Sequence, residues 1–299
     1  MPNPGLLPYI EVFFAVVVWG ASFIATKVAL AYASPITIVW LRFAMGVVIL
    51  GVAVVLRRQF TLPNKNEWRY FALLGFLGIT FHQWLQSNAL VTSEASTTAW
   101  IVATTPVFMA LLGWLVLKEG LGWVTISGIL LAFIGVLVVV SDGDITSISI
   151  GEFGAPGDVL ILISAVNWAV FSTLSRRGLK SYPASLMMFY VMSFGWVFTS
   201  FLFIPSEGLS EIPRLTVNGW IAILFLGIFC SGLAYIAWYD ALQALSAAQT
   251  GVFLYIEPLV AVAVAAIVLA EPVTWASLLG GAVILIGVWL VNREPRERA

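Results

Sequence analysis

The chain has 299 residues, 61% of them hydrophobic and 10% charged, with a mean hydropathy of +1.01 and a formal net charge of −1. Because soluble domains carry about 25% charged residues, this composition excludes an ordinary water-soluble domain and indicates a protein that lies in lipid. The near-zero charge gives no reason to expect nucleic acid as a partner, and the one cysteine, Cys230, excludes an internal disulfide and a cysteine-rich metal site.

Long apolar runs predict the membrane-spanning helices. In chain order we place ten spans at roughly 10–31, 36–56, 69–90, 97–117, 122–141, 158–176, 184–204, 219–239, 247–269 and 273–291. Several connections are very short, so we expect neighbouring helices to form antiparallel hairpins. No Lys or Arg precedes Lys27, so a cleavable signal peptide is not expected.

The second half of the chain repeats the first. A shift of about 152 aligns Trp68 with Trp220, Pro106 with Pro258 and Glu119 with Glu271, and a shift of about 149 aligns Trp19 with Trp168 and Lys27 with Arg176. Five spans leave the two ends of each half on opposite sides of the bilayer, so the second copy must be inverted. We therefore predict an all-α polytopic membrane protein of two inverted five-helix repeats, residues 1–149 and 150–299, an arrangement common among secondary transporters.

Loop charges predict the orientation. Eleven of the fourteen Lys and Arg residues fall in loops on one side: Arg57, Arg58, Lys65, Arg69, Lys118, Arg176, Arg177, Lys180, Arg293, Arg296 and Arg298. The opposite side has only Arg214, with acidic loops that contain Asp142, Asp144 and Glu152. This bias places both termini in the cytoplasm and agrees with an even number of spans.

Four ionisable side chains inside predicted spans are functional candidates, because a charge at the centre of a membrane helix costs about 3 kcal/mol on insertion scales. Lys27 either snorkels to the interface or presents a structural or substrate-contacting charge. Arg42 either serves as a hydrogen-bonding hub for neighbouring helices or meets substrate. Glu257 holds a substrate ammonium, carries a proton, or pairs with Lys27 or Arg42. The fourth candidate is His82.

His82, the only histidine, lies in a polar stretch of the third span. Helical spacing places Ile79, His82, Gln83 and Gln86 on one face. A polar stripe in lipid must face protein or a water-filled cavity. The stripe therefore predicts either helix–helix hydrogen bonding or a cavity wall that binds polar substrate groups. His82 and Glu257 are also the candidates for proton coupling, with a simple uniporter as the alternative.

Prolines at corresponding positions interrupt two spans. Pro106 in the fourth span and Pro258 in the ninth each remove a helical hydrogen bond. Paired interrupted helices are the best sequence indicator of a transporter binding site, although both kinks would also arise from packing alone. Aromatic side chains inside spans near the polar positions favour a pocket for apolar or aromatic groups, with packing as the alternative: Trp100, Trp168, Tyr235, Trp238, Tyr239 and Tyr255.

Glycines recur in the fifth and tenth spans. Gly128 and Gly135 align with Gly280 and Gly287. Small residues on one face let helices approach closely in lipid. We interpret these glycines as packing within the scaffold or as the seam of a homodimer, away from the substrate path.

Taken as a set, these residues resemble the EamA-type branch of the ten-helix drug/metabolite transporter superfamily. The first two spans carry the pattern Trp19, Gly20, Phe23, Lys27 and Arg42, and each half repeats the proline, acidic residue and glycines described above. The second half departs from the family pattern with Asn167-Trp168 and Arg176, so we do not expect the halves to be functionally equivalent. The resemblance implies a bacterial inner-membrane exporter of amino acids and related metabolites, including aromatic amino acids.

The leading hypothesis is a secondary transporter that exports small amphipathic metabolites by alternating access. No phosphate-binding loop, paired histidines or activated nucleophile occurs, so we expect no enzyme activity, no cofactor and no metal. The expected partners are a small-molecule substrate and the lipid bilayer. The alternatives are an exporter of other metabolites or drugs within the same superfamily, and a non-transporting membrane scaffold.

Overall fold

A computed structural model of the chain describes residues 5–65, 67–118, 120–144, 154–245 and 247–293. The predictions that involve Glu119, Glu152, Arg296 and Arg298 lie outside these residues. Within the described ranges the regular structure is entirely helical, which confirms the all-α prediction. Large apolar side chains face outward, among them Trp123 at 84% and Ile267 at 83% exposure. Such a surface is compatible with lipid and not with water.

The helices follow the predicted spans closely. Their bounds are α1 Leu7–Leu30, α2 Pro35–Leu56, α3 Glu67–Gly75, α4 His82–Thr92, α5 Ala95–Val102, α6 Thr105–Leu117, α7 Trp123–Val140, α8 Pro156–Ser181, α9 Ala184–Phe203, the short α10 Gly208–Glu211, α11 Val217–Leu224, α12 Ala234–Ala244, α13 Ala247–Phe253, α14 Ile256–Val268 and α15 Trp275–Arg293. Pro35 and Pro156 begin their helices at the first position, where the missing N–H has no intrahelical partner.

Nine helical segments of the described chain are long and apolar enough to cross a bilayer. The third predicted span is not among them. It is nevertheless helical from Glu67 to Thr92, in three consecutive pieces. Its polar stripe and its charged first turn lower its hydropathy, so the features that make it a candidate for function also make it the least apolar segment.

Two π-helical segments were not predicted. Phe76–Phe81 joins α3 to α4, and Phe225–Leu233 joins α11 to α12. A shift of about 152 places the first segment on the last six residues of the second. π turns are rare, and they occur mostly as local bulges at functional sites.

The interrupted helices are confirmed. α5 ends at Val102 and α6 begins at Thr105, with Pro106 in its first turn. α13 ends at Phe253 and α14 begins at Ile256, with Pro258 in its first turn. In both places two residues separate two short helices, so each proline starts a new helix instead of only bending a continuous one.

The helices pack so that elements of the two halves alternate. α1 lies against α12, α14 and the second π segment, and α2 lies against α9 and that same π segment. α4 packs on α8, and α7 pairs with α15 along its length. A Cβ at Gly128 would lie 2.6 Å from the Gly287 carbonyl oxygen, and one at Gly135 would lie 2.7 Å from the Gly280 carbonyl oxygen. The four glycines therefore meet within one chain, and a homodimer through these helices stays a prediction.

Candidate substrate-binding site

Arg42 connects the two halves near the middle of α2. Its side chain is buried, its Nε donates to the Ser231 hydroxyl at 3.0 Å, and its Nη1 donates to the Gln83 amide oxygen at 3.2 Å. Gln83 belongs to α4 of the first half, whereas Ser231 belongs to the π segment of the second. No carboxylate lies within ion-pair distance of Arg42 among the described residues. The predicted hydrogen-bonding hub is therefore present, but its charge is not neutralised.

His82 lies next to Gln83, on the same buried face of α4. Its Nδ1 is 2.8 Å from the Ser164 hydroxyl of α8, and its ring stacks on Trp168 with centroids 4.6 Å apart. Trp168 also contacts Phe171, with ring centroids at 4.8 Å. The polar stripe thus faces protein, as lipid requires. The structure brings His82, Gln83 and Trp168 together as predicted, and it leaves Gln86 half-buried at the edge.

Aromatic rings of α1 and α12 pack against one another. Trp19 of α1 meets Tyr235 edge-on at 5.4 Å and Trp238 at 5.3 Å, and Tyr239 stacks on Tyr235 at 6.3 Å. Edge-on and offset ring pairs are the favourable arrangements. Tyr235, Trp238 and Tyr239 therefore form one aromatic wall, which Trp19 completes from the opposite half.

Glu257 lies in the first turn of α14, directly after the helix break. Its carboxylate is half-buried and has no hydrogen bond or ion pair with the described residues. The alternative that Glu257 pairs with Lys27 or Arg42 is wrong, because those cations bind other groups.

Gly20 brings α1 against this same turn. A Cβ at Gly20 would lie 2.6 Å from the Glu257 carbonyl oxygen and 2.9 Å from the Val260 side chain. Only a glycine allows the two backbones to approach this closely. The next residue back along α1 is Trp19, so the close approach holds the aromatic wall near the first turn of α14.

Side chains from opposite halves bind the backbone of both π segments. The Trp19 indole N–H donates to the Cys230 carbonyl at 3.1 Å, and the Asn167 amide donates to the Leu77 carbonyl at 2.8 Å. Trp19 and Asn167 occupy nearly corresponding positions in the first helix of each half. Each π segment is thus fixed by the half to which it does not belong.

Two of the predicted pocket residues lie elsewhere. Trp100 is buried between α5 and α15, where its indole N–H donates to Ser277 at 3.1 Å and its ring packs on Gly281. The Tyr255 hydroxyl accepts a hydrogen bond from Asn292 at 2.9 Å, in the same apolar cluster as Trp100. The structure therefore does not bring Trp100 and Tyr255 to the group around Arg42.

Lys27 is bound at the end of α1, away from that group. Its ammonium donates to the Ser93 carbonyl at 2.6 Å and lies 3.5 Å from the Glu271 carboxylate. Glu271 also accepts from the backbone N–H groups of Ala95 and Ser96, at 2.9 and 3.1 Å. This arrangement supports the structural alternative for Lys27 and caps the N-terminus of α5.

The same contacts shift the pKa of Glu271, which lies in the loop between α14 and α15. Burial by itself raises the pKa of this carboxyl, but the hydrogen bonds from Ala95 and Ser96 and the charge of Lys27 outweigh burial, so the pKa is lowered. Nearby Glu94 has a raised pKa, because burial and the charge of Glu271 both disfavour its ionised form. Glu271 is therefore the carboxyl of this acidic group that is the more easily ionised.

Sequence reasoning missed three members of the group around Arg42. Ser164 and Ser231 are small hydroxyl residues of the kind that occurs throughout membrane helices, so nothing in their spacing marks them. Trp19 was noted for its family pattern and not assigned to the site. Its alignment with Trp168 could have identified it, because Trp168 was already a candidate.

Arg42, His82, Gln83, Trp168, Tyr235 and Glu257 together offer hydrogen-bond donors, stacked rings and separated charges of both signs. In the described residues no group of three His, Cys, Asp or Glu side chains is placed to hold a metal ion. Such an arrangement suits the binding of a small amphipathic solute.

Comparison with known proteins gives consistent matches over the whole chain. The EamA-like transporter family matches residues 6–141 and again residues 155–293. A protein of Archaeoglobus fulgidus named "Uncharacterized transporter" is 28% identical over 280 residues, which cover 94% of this chain and 95% of the relative. A Streptantibioticus cattleyicolor protein named "Probable terminal-alkyne amino-acid exporter" is 29% identical and covers 95% and 92%. A solved structure described as "Crystal structure of protein" has a TM-score of 0.67 at 20% identity over 95% of both chains, which shows the same fold.

Proposed function

The chain belongs to the EamA-like transporter family, and from that premise we propose that it exports amino acids with aromatic or hydrophobic side chains. Its relatives carry transporter names, which supports a multi-pass membrane transporter. The amino-acid assignment draws on the relative named as an exporter of a terminal-alkyne amino acid. The group around Arg42 supplies the independent support.

One observation carries the proposal most strongly: polar side chains from both halves converge on a single guanidinium. Arg42 bonds Gln83 and Ser231 across the boundary between the halves. A site shared in this way is exposed to one side or the other when the halves rock, which is the geometry of alternating access. Stacked rings accommodate the solute side chain, and the polar groups orient its backbone atoms.

The proposal includes ten spans in two inverted repeats. The protein lies in the inner membrane, and both of its termini are in the cytoplasm. The two separate family matches, the paired π segments and the paired helix breaks support the repeat. The third segment, Glu67–Thr92, has 26 residues in continuous helix, about 39 Å long at 1.5 Å per residue. That length exceeds the roughly 30 Å hydrocarbon core.

Counterflow in proteoliposomes tests the function directly. Liposomes preloaded with unlabelled amino acid should accumulate the same radiolabelled amino acid transiently and saturably, with aromatic and large aliphatic members of the panel accumulated most. Arg42→Gln should abolish this uptake, whereas Trp123→Phe, at an exposed position on α7, should leave it unchanged. Absence of saturable flux for every amino acid would contradict the proposal. Flux of other metabolites or drugs alone would favour a different exporter in the same family.

A further inference from the structure

We propose that Glu257 is the subsite for the positively charged ammonium group of the solute, and that the protein therefore selects zwitterions and rejects simple anions. The inference rests on the proposed function, because it names the class of substrate that the same site accepts. Four features of the structure lead to it: an unpaired carboxylate, adjacent aromatic rings, an unneutralised arginine, and the separation between the two charges.

The Glu257 carboxylate lacks any partner in the described chain, although other carboxylates have one. Asp240 pairs with Arg57 at 2.6 Å, and Glu271 pairs with Lys27 at 3.5 Å. A carboxylate inside a membrane protein is expensive unless it is paired and hydrogen-bonded. An unpaired carboxylate beside a helix break is therefore kept for a partner that comes and goes, which is the property of a substrate contact.

The surroundings of Glu257 favour an ammonium over other cations. The close approach of Gly20 to the Glu257 carbonyl brings α1 beside this turn, and Trp19, the adjacent residue of α1, packs on both Tyr235 and Trp238. Ring faces attract organic cations, and they do so more strongly when water is excluded. A carboxylate next to aromatic rings thus recognises an alkylammonium, which offers N–H donors to the oxygens and polarised C–H groups to the rings.

Arg42 provides the complementary charge. Both of its described hydrogen bonds go to neutral groups, Ser231 and Gln83, so it remains able to attract a carboxylate. Among the described residues, Arg42 and Glu257 do not form an ion pair with each other. Two opposite charges that do not neutralise each other match a solute that carries both signs.

Binding of three small probes to the full-length protein in lipid nanodiscs tests the inference. L-phenylalanine carries both charges, phenethylamine carries only the ammonium, and 3-phenylpropionate carries only the carboxylate. The variants are Glu257→Gln, the charge-retaining Glu257→Asp, and Glu207→Gln as a matched control at an exposed loop position. Calorimetry gives the affinities, and thermal unfolding verifies that each variant is folded.

We expect Glu257→Gln to weaken the binding of phenylalanine and of phenethylamine by about tenfold or more, as for other truncated charge contacts. The binding of 3-phenylpropionate should not change. Glu257→Asp should recover part of the loss, and Glu207→Gln should match wild type. Equal weakening of all three probes, or no weakening of the two ammonium compounds, overturns the inference. The inference is also overturned if Glu257→Gln abolishes the pH dependence of flux without changing the preference for ammonium compounds, because Glu257 would then be a proton carrier.

Proteoliposome flux separates this inference from the proposed function. Saturable amino-acid flux that is indifferent to Glu257→Gln contradicts the ammonium subsite and leaves the transport function intact. Absence of flux for the whole amino-acid panel contradicts the function, and the ammonium subsite for transported solutes is then rejected with it.

Discussion

The glycine contact between α7 and α15 makes the sharpest prediction about stability. A methyl group added at Gly128 would lie 2.6 Å from the Gly287 carbonyl oxygen, and one added at Gly287 would lie 2.5 Å from the Ala132 backbone nitrogen. Non-bonded heavy atoms prefer about 3.5 Å or more, so either alanine must push the helices apart by roughly 0.9 Å. The atoms in the way are backbone atoms, which no rotamer change can move aside.

The cost follows from this geometry. Overpacking of a tight interface costs about 1–3 kcal/mol, whereas replacing a helical glycine by alanine gains about 1 kcal/mol of helix propensity. Gly128→Ala and Gly287→Ala should therefore lose up to about 2 kcal/mol net, which corresponds to a Tm lower by up to about 3 °C for a chain of this length. Gly251→Ala is the matched control in α13, because its methyl would meet no atom within 4 Å. It should keep or slightly raise the Tm.

Cys230 offers a direct assay. It is the only cysteine in the chain and is fully buried, so a thiol-reactive fluorophore reports unfolding. Thermal scans of the three variants in detergent should place Gly251→Ala at or above wild type and the other two below it. If Gly128→Ala and Gly287→Ala are as stable as Gly251→Ala, the close backbone contact between α7 and α15 is not present in the folded protein.

Three further experiments probe the contacts between elements. Glu271→Gln should lower the Tm at neutral pH. The folded-state pKa of Glu271 lies below the unfolded value of about 4.3, so the stability advantage of wild type is complete above that value and is lost as the pH falls through the folded pKa. A Tm difference that stays constant down to pH 3 would contradict this. A double-mutant cycle on Arg57→Ala and Asp240→Ala should give a coupling energy of about 0.2–1 kcal/mol. The two side chains are partly exposed, although their hydrogen bonds are short at 2.7 and 2.6 Å. A coupling energy of several kcal/mol would indicate a buried pair. Trp19→Phe removes the donor to the second π segment and leaves a smaller ring. It should cost about 1–3 kcal/mol in denaturant unfolding, so an unchanged midpoint would argue against this bond.

Most of the fold could be predicted because a bilayer restricts what a sequence can do. Apolar runs must be helical in lipid, so the positions of the helices follow from composition, and proline positions predict the breaks before α6 and α14. The polar stripe of α4 could likewise face only protein or a water-filled cavity. Its contacts with Ser164, Trp168 and Arg42 confirm that orientation.

The π segments and the charge partners could not be predicted in the same way. A π turn depends on which neighbour binds the backbone, and here the donors Trp19 and Asn167 come from the opposite half. Lys27 finds Glu271 far along the chain, although sequence reasoning offered Glu257 as its partner. Pairing of charges is decided by helix packing, which hydropathy and spacing do not report.

The contacts of Arg42 also limit how the halves can move. Arg42 and Gln83 lie in the first half, and Ser231 lies in the second, so separation of the halves at this level breaks the bond to Ser231 and keeps the bond to Gln83. The freed guanidinium donor then needs a new acceptor, because an unpaired buried donor costs about 1–3 kcal/mol. In the proposed function, a solute carboxylate would supply that acceptor. Binding of the solute and movement of the halves would then be linked through one side chain, and we expect a loaded carrier to cross more easily than an empty one.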